Sequence, residues 1–144
     1  MGDDKSVRRT THDARRTQLC QLAIAVRDLD AAAERWSALL GVPASVEDIP
    51  DEGVRVARLD LGGLELELIA PTGANSIARF LEKRGEGLHH IGLAVPNLEA
   101  AMAAAAASGF PCVRGPAQGR HYRYTFLEPR SANGVLVELM EPSS

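Results

Sequence analysis

The chain has 144 residues, 45% hydrophobic and 24% charged, enough for one domain with a real core or for two small fused half-domains. Its 16 basic and 19 acidic residues leave a net charge of −3, without the basic excess that phosphate-backbone binding needs, so nucleic acid is not an expected partner. The apolar run at Ala100–Ala107 is too short and too small-sided to span a bilayer, so no membrane partner is expected either.

The first residues, MGDDKSVRRTTHDARRTQ, are polar and charged, so no secretory signal is expected. Gly2 and Ser6 match a short myristoylation pattern that the two neighbouring aspartates weaken. Residues 1–17 are expected to form a mobile tail with solvated arginines. The two cysteines, Cys20 and Cys112, make no disulfide framework, and a reducing, cytoplasmic setting is expected.

Residues 20–26 alternate, with Leu22, Ile24 and Val26 on one side and Gln21, Ala23 and Ala25 on the other, which predicts a strand. Asp28 can cap a helix from about Leu29 to Leu40, stopped by Gly41. Trp36 lies among the apolar positions of that helix and is expected in the core. Extended runs follow near 44–49, 53–61 and 64–70, the last two joined by a hairpin at Gly62–Gly63. NSIARFLEKRGEG reads as a linking helix over about 74–85, and the Gly85-Glu86-Gly87 turn after it stops that helix or shapes the ground beside His90. Then come a strand over 88–95, a helix over 98–108 stopped by Gly109, and strands near 111–114, 121–127 and 134–140.

That order is one unit used twice. QLAIAVRDLDAA from Gln21 aligns without gaps on HIGLAVPNLEAA from His90, and ELIAP ending at Pro71 matches ELMEP ending at Pro142. The expected fold class is therefore α+β, with two tandem βαβββ modules at about 18–71 and 87–142 in a single domain over 18–142.

The repeat pairs the polar residues. The small faces of the two first strands begin with Gln21 and His90. Each last strand carries a carboxylate among apolar neighbours, Glu67 and Glu138, at equivalent positions. Such a carboxylate is costly to bury unless it is paired or bound to a metal. Taken singly, an alternating Glu marks a solvent face and a strand His is a core or surface residue. Taken as a symmetric set, Gln21, Glu67, His90 and Glu138 are donor types that hold a hard or borderline divalent cation. His89 is out of phase with His90 and is expected to face away. Tyr122 and Tyr124 could line this face or the opposite one.

The segments LAIAVRDLDAA, GVRVARLDLGGLELELIAP, SIARFLEKRGEGLHHIGLAV and FLEPRSANGVLVELMEP span about 19–142. Through them the chain resembles the vicinal-oxygen-chelate (glyoxalase-like) superfamily and, within it, the methylmalonyl-CoA epimerase family. The resemblance implies a curved sheet around a metal site, a homodimer, and one divalent ion (Co, Zn, Mn, Ni or Mg) on Gln21, Glu67, His90 and Glu138. It further implies removal of the C2 proton of an acyl-CoA through a metal-stabilised enolate, with Glu138 as base and Glu67 as candidate for the opposite face. Three positions depart from the family pattern. Gln21 replaces a usual His, Val56 stands where some epimerases carry a carboxylate, and Glu128 precedes Pro129 where His-Pro is common. The set Gln, Glu, His, Glu is similar to that of zinc-type glyoxalase I enzymes, so a lactoylglutathione lyase acting on a glutathione hemithioacetal is one alternative. A non-catalytic, resistance-type binding protein is another. Arg114, Arg120, Arg123 and Arg130 are available for CoA phosphates.

Overall fold

The computed structural model describes residues 16–143; the Gly2/Ser6 pattern and the expected tail as far as residue 15 lie outside the described residues. The chain divides into two compact units, one of residues 21–89 and one of residues 90–144 with the segment up to Cys20.

In the unit of residues 21–89, β1 (Gln18–Ala25) contributes its residues from Gln21 onward, followed by α1 (Leu29–Leu40), β2 (Ser45–Ile49), β3 (Val54–Asp60), β4 (Glu65–Pro71) and α2 (Ser76–Arg84). The helices start where short polar side chains replace missing backbone partners: Asp28 accepts from the amide of Ala31 and Asn75 from that of Ala78. Helix α1 ends at Gly41, whose φ of 71° is left-handed backbone that glycine adopts without strain. The strand order is β2-β3-β4-β1, with β1 and β4 parallel and the other pairs antiparallel.

Strand alternation gives this sheet two unlike faces. One buries Val26, Ala57, Leu59, Leu66 and Leu68 against Leu29 and Ala33 of α1, with Trp36 packed at the edge as the helical spacing predicts. The other is divided along its length. Ala25, Ile49, Val54, Val56 and Ile69 are covered by Ile77, Leu81 and Phe80 of α2. The rest of that face carries Gln21, Ala23, Glu47, Arg58, Glu65 and Glu67.

The second unit repeats the plan with β5 (Gly87–Ala94, from His90), α3 (Leu98–Ala107), β6 (Cys112–Gln118), β7 (Tyr122–Leu127) and β8 (Val137–Pro142), in the order β5-β8-β7-β6. Asn97 caps α3, and the Glu141 carboxylate accepts from the amide of Leu98 at 2.7 Å. Val95, Leu98, Leu127, Val137 and Leu139 form its core on the α3 face. Two strands depart from their predicted extents. β8 begins at Val137 rather than near 134, because Pro129–Ala132 form a 3-10 turn and Asn133 and Gly134 take left-handed φ values of 58° and 86°. β6 runs on to Gln118, paired irregularly with β7.

Candidate active site

Two carboxylates sit at matching places in the two units. In the β1–β4 ladder Glu67 lies across from Ala23, and in the β5–β8 ladder Glu138 lies across from Gly92. Each is nearly inaccessible, at 5% and 4% exposure, and each looks over a neighbour with little or no side chain. One diagonal step along β1 or β5 from those small residues stand Gln21 and His90, also buried. The sequence-derived set thus comes together as two pairs, one in each unit.

In the first pair the Gln21 side-chain amide donates to Glu65 Oε1 at 3.0 Å and to Glu67 Oε2 at 3.3 Å. In the second, His90 Nε2 lies 3.3 Å from Glu138 Oε1. His89 turns away from this site and packs edge-on against Phe80 of α2, their ring centres 4.9 Å apart. Glu86 in the turn before β5 accepts from the Arg27 amide at 2.8 Å, tying that turn to the end of β1.

The surroundings of the two pairs differ, and sequence reading missed this. Directly across from Glu67 on β3 is Arg58. Its guanidinium donates to Glu47 at 2.5 Å and lies 3.7 Å from both Glu65 and Glu67. Burial works against that cation, but the hydrogen bond to Glu47 and the charges of Glu67, Glu65 and Glu47 outweigh it and raise its pKa. Directly across from Glu138 on β7 is Phe126. Its ring meets the His90 ring edge-on at 5.8 Å and the Tyr124 ring at 5.8 Å, and Tyr124 meets Tyr122 at 6.0 Å. Tyr122 and Tyr124 therefore share the Glu138 face. The signal for Arg58 was present: counting back through the Gly62–Gly63 hairpin sets it opposite Glu67.

Arg123, between the two tyrosines, points to the opposite face, where it pairs with Glu99 of α3 and lies 3.6 Å from Glu141. Arg114, Arg120 and Arg130 are exposed.

The donor set fits a divalent cation by its chemistry: one imidazole nitrogen, one amide oxygen and two carboxylates whose charge balances the ion. Among the described residues no three His, Cys, Asp or Glu side chains already stand as a metal-holding group. For Gln21 to serve as a ligand its amide must turn, because its nitrogen now faces the carboxylates. Rotation about the last side-chain bond achieves this and gives up both hydrogen bonds, because a carboxylate has no proton to donate to the amide oxygen.

The profile of the Glyoxalase/Bleomycin resistance protein/Dioxygenase superfamily matches residues 20–126. The Cereibacter sphaeroides protein named ethylmalonyl-CoA/methylmalonyl-CoA epimerase is 39% identical over 128 residues, covering 85% of this chain and 96% of that protein. The uncharacterised Bacillus subtilis protein YqjC is 36% identical over 129 residues, covering 87% and 92%. A solved structure of a Streptomyces coelicolor methylmalonyl-CoA epimerase variant in complex with 2-nitronate-propionyl-CoA superimposes with a TM-score of 0.81 at 33% identity, covering 88% of this chain and 98% of that one.

Proposed function

Because the chain belongs to the glyoxalase/bleomycin resistance protein/dioxygenase superfamily, and to the methylmalonyl-CoA epimerase family within it, we propose that it interconverts the (R) and (S) forms of methylmalonyl-CoA. The observation that carries this reading is the pair of buried carboxylates, Glu67 and Glu138, at register-equivalent positions over Ala23 and Gly92. Epimerisation removes the C2 proton from one face of a carbon and returns a proton to the other. A fold that repeats a carboxylate supplies two proton-handling groups from one sequence element.

The C2 hydrogen lies between a thioester and a carboxylate, so its loss leaves charge on an enolate oxygen. Glu138 is the base, and such a positioned carboxylate contributes about 10²–10⁴-fold. The His90 imidazole at 3.3 Å orients its carboxylate. Glu67 is the group for the opposite face. Gln21, Glu67, His90 and Glu138 would hold one divalent cation, whose contribution when bound is Lewis-acid polarisation of the substrate oxygens. Arg114, Arg120 and Arg130 are assigned to the CoA phosphates. A homodimer and a cytoplasmic setting complete the reading; no helix among the described residues is long and apolar enough to cross a membrane.

Proton exchange followed by NMR tests it. The protein is incubated in D₂O with (2R)-methylmalonyl-CoA, with and without Co²⁺ or Zn²⁺ and with a chelator. Deuterium entry at C2 with loss of chirality, abolished by the chelator and restored by the metal, is the expected result. Inertness toward the CoA ester with turnover of the methylglyoxal–glutathione adduct would instead assign a lactoylglutathione lyase. Silence with both substrates would overturn the epimerase reading in favour of a binding protein or of another substrate.

A further inference from the structure

We propose that Phe126 sets the size limit for the substituent on the reacting carbon, an inference that rests on the epimerase reading above. Glu138 has two lateral neighbours on its own face. Gly92 on β5 offers bare backbone, and Phe126 on β7 offers a phenyl ring. A carbon that gives its proton to Glu138 must come within about 3–3.5 Å of the carboxylate. Its other substituents then meet whatever stands beside that carboxylate.

Those substituents are a thioester, a carboxylate and an alkyl group. The two oxygen-bearing groups need donors or charge, which a phenyl ring cannot give. The alkyl group alone gains by burial against it. The matching position in the other unit is unsuitable, because Arg58 is a cation already engaged by Glu47, Glu65 and Glu67. The asymmetry between Arg58 and Phe126 thus gives the alkyl group one apolar neighbour beside a catalytic carboxylate.

Phe126 is also held in place. Its ring touches His90 on one side and Tyr124 on the other, and Tyr124 is buried at 8% exposure. It cannot swing away along the strand to admit a larger group. Phe126 itself stays partly accessible, as a wall facing substrate must be.

The test compares kcat/KM for ethylmalonyl-CoA and methylmalonyl-CoA, read by C2 deuterium incorporation, in the wild type, Phe126→Ala and Phe126→Leu. One methylene in an apolar pocket is worth roughly 10–200-fold in discrimination. The ethyl-to-methyl ratio is expected to rise about tenfold or more in Phe126→Ala and by a smaller factor in Phe126→Leu. A ratio unchanged in both variants overturns the proposal. Should Phe126→Ala lose its fold, judged by near-ultraviolet circular dichroism, the Phe126→Leu ratio decides alone: a rise supports the wall and a flat ratio removes it. A wild type that exchanges neither thioester would overturn the epimerase reading and this inference with it, whereas an active wild type with flat variant ratios would overturn this inference alone.

Discussion

Arg58 faces Glu67 directly across the β3–β4 ladder, its Nε 3.7 Å from the Glu67 carboxylate, while its guanidinium donates a close hydrogen bond to Glu47. The guanidinium is therefore anchored on one carboxylate and lends its charge to two more. Removing it leaves three acidic groups on one partly buried face. Arg58→Met is expected to cost about 1–3 kcal/mol, below the 3–5 kcal/mol of a fully buried pair because the side chain retains some solvent contact. Urea unfolding at pH 7 measures this. Arg58→Lys, which keeps the charge but not the fork, should lose less.

Glu138 and Glu67 are separable by substitution to glutamine, which keeps the shape of the side chain and removes its charge and its ability to take a proton. Glu138→Gln is expected to lower the C2 exchange rate by about 10²–10⁴-fold with little change in melting temperature. Glu67→Gln should slow racemisation as well. Full turnover by Glu67→Gln would remove it from the role of second proton carrier.

The pairing of Glu99 with Arg123 makes a pH-dependent prediction. The hydrogen bond from Arg123 is the main cause that lowers the Glu99 pKa from its ordinary 4.5. A depressed carboxylate pKa gives stability that is complete above the unfolded value and fades as pH falls below about 4.5. Wild type and Glu99→Gln should thus differ in stability at neutral pH and converge on acidification. Both groups are exposed, so the difference should be small and should vanish in high salt. A difference that persists at low pH would show that the contact acts through packing instead.

Gly115 limits what β6 tolerates. Its φ of 103° is outside the comfortable range of other residues, and a Cβ there would lie 2.8 Å from the Tyr124 carbonyl and 3.0 Å from the Thr125 Cα. Both obstacles are backbone and cannot rotate aside. Gly115→Ala is expected to destabilise by about 2–3 kcal/mol, the combined effect of strain and close contact. Because the displaced strand carries Tyr124, the ultraviolet circular dichroism of the tyrosines should change in step with the loss of stability.

Periodicity and caps made the repeated elements readable. The α1 span from Leu29 to Leu40 follows from the Asp28 cap, the helical spacing and Gly41, all local signals. The equivalence of Glu67 and Glu138 follows from the repeat itself. What escaped sequence reading depends on contacts between strands. The Arg58 cluster needs the registers of β2, β3 and β4 together, and the face chosen by Tyr122 and Tyr124 becomes plain only once Phe126 is matched to Glu138. The late start of β8 reflects a 3-10 turn whose residues, Pro129–Ala132, give no periodic signal. Arg123 read as a free cation because Glu99 and Glu141, its partners, are distant in the chain.

Helix α2 covers the apolar half of a sheet face in the unit of residues 21–89. The stretch between the two copies is thus part of the first copy's interior, and the duplicated halves are not interchangeable as building blocks. A fragment ending at Pro71 would hold every strand of its copy and still leave Ala25, Val54, Val56 and Ile69 open to water, a sticky surface that invites aggregation. Dissecting the chain into autonomous halves, or shuffling one copy with that of a relative, requires the cut to fall after α2.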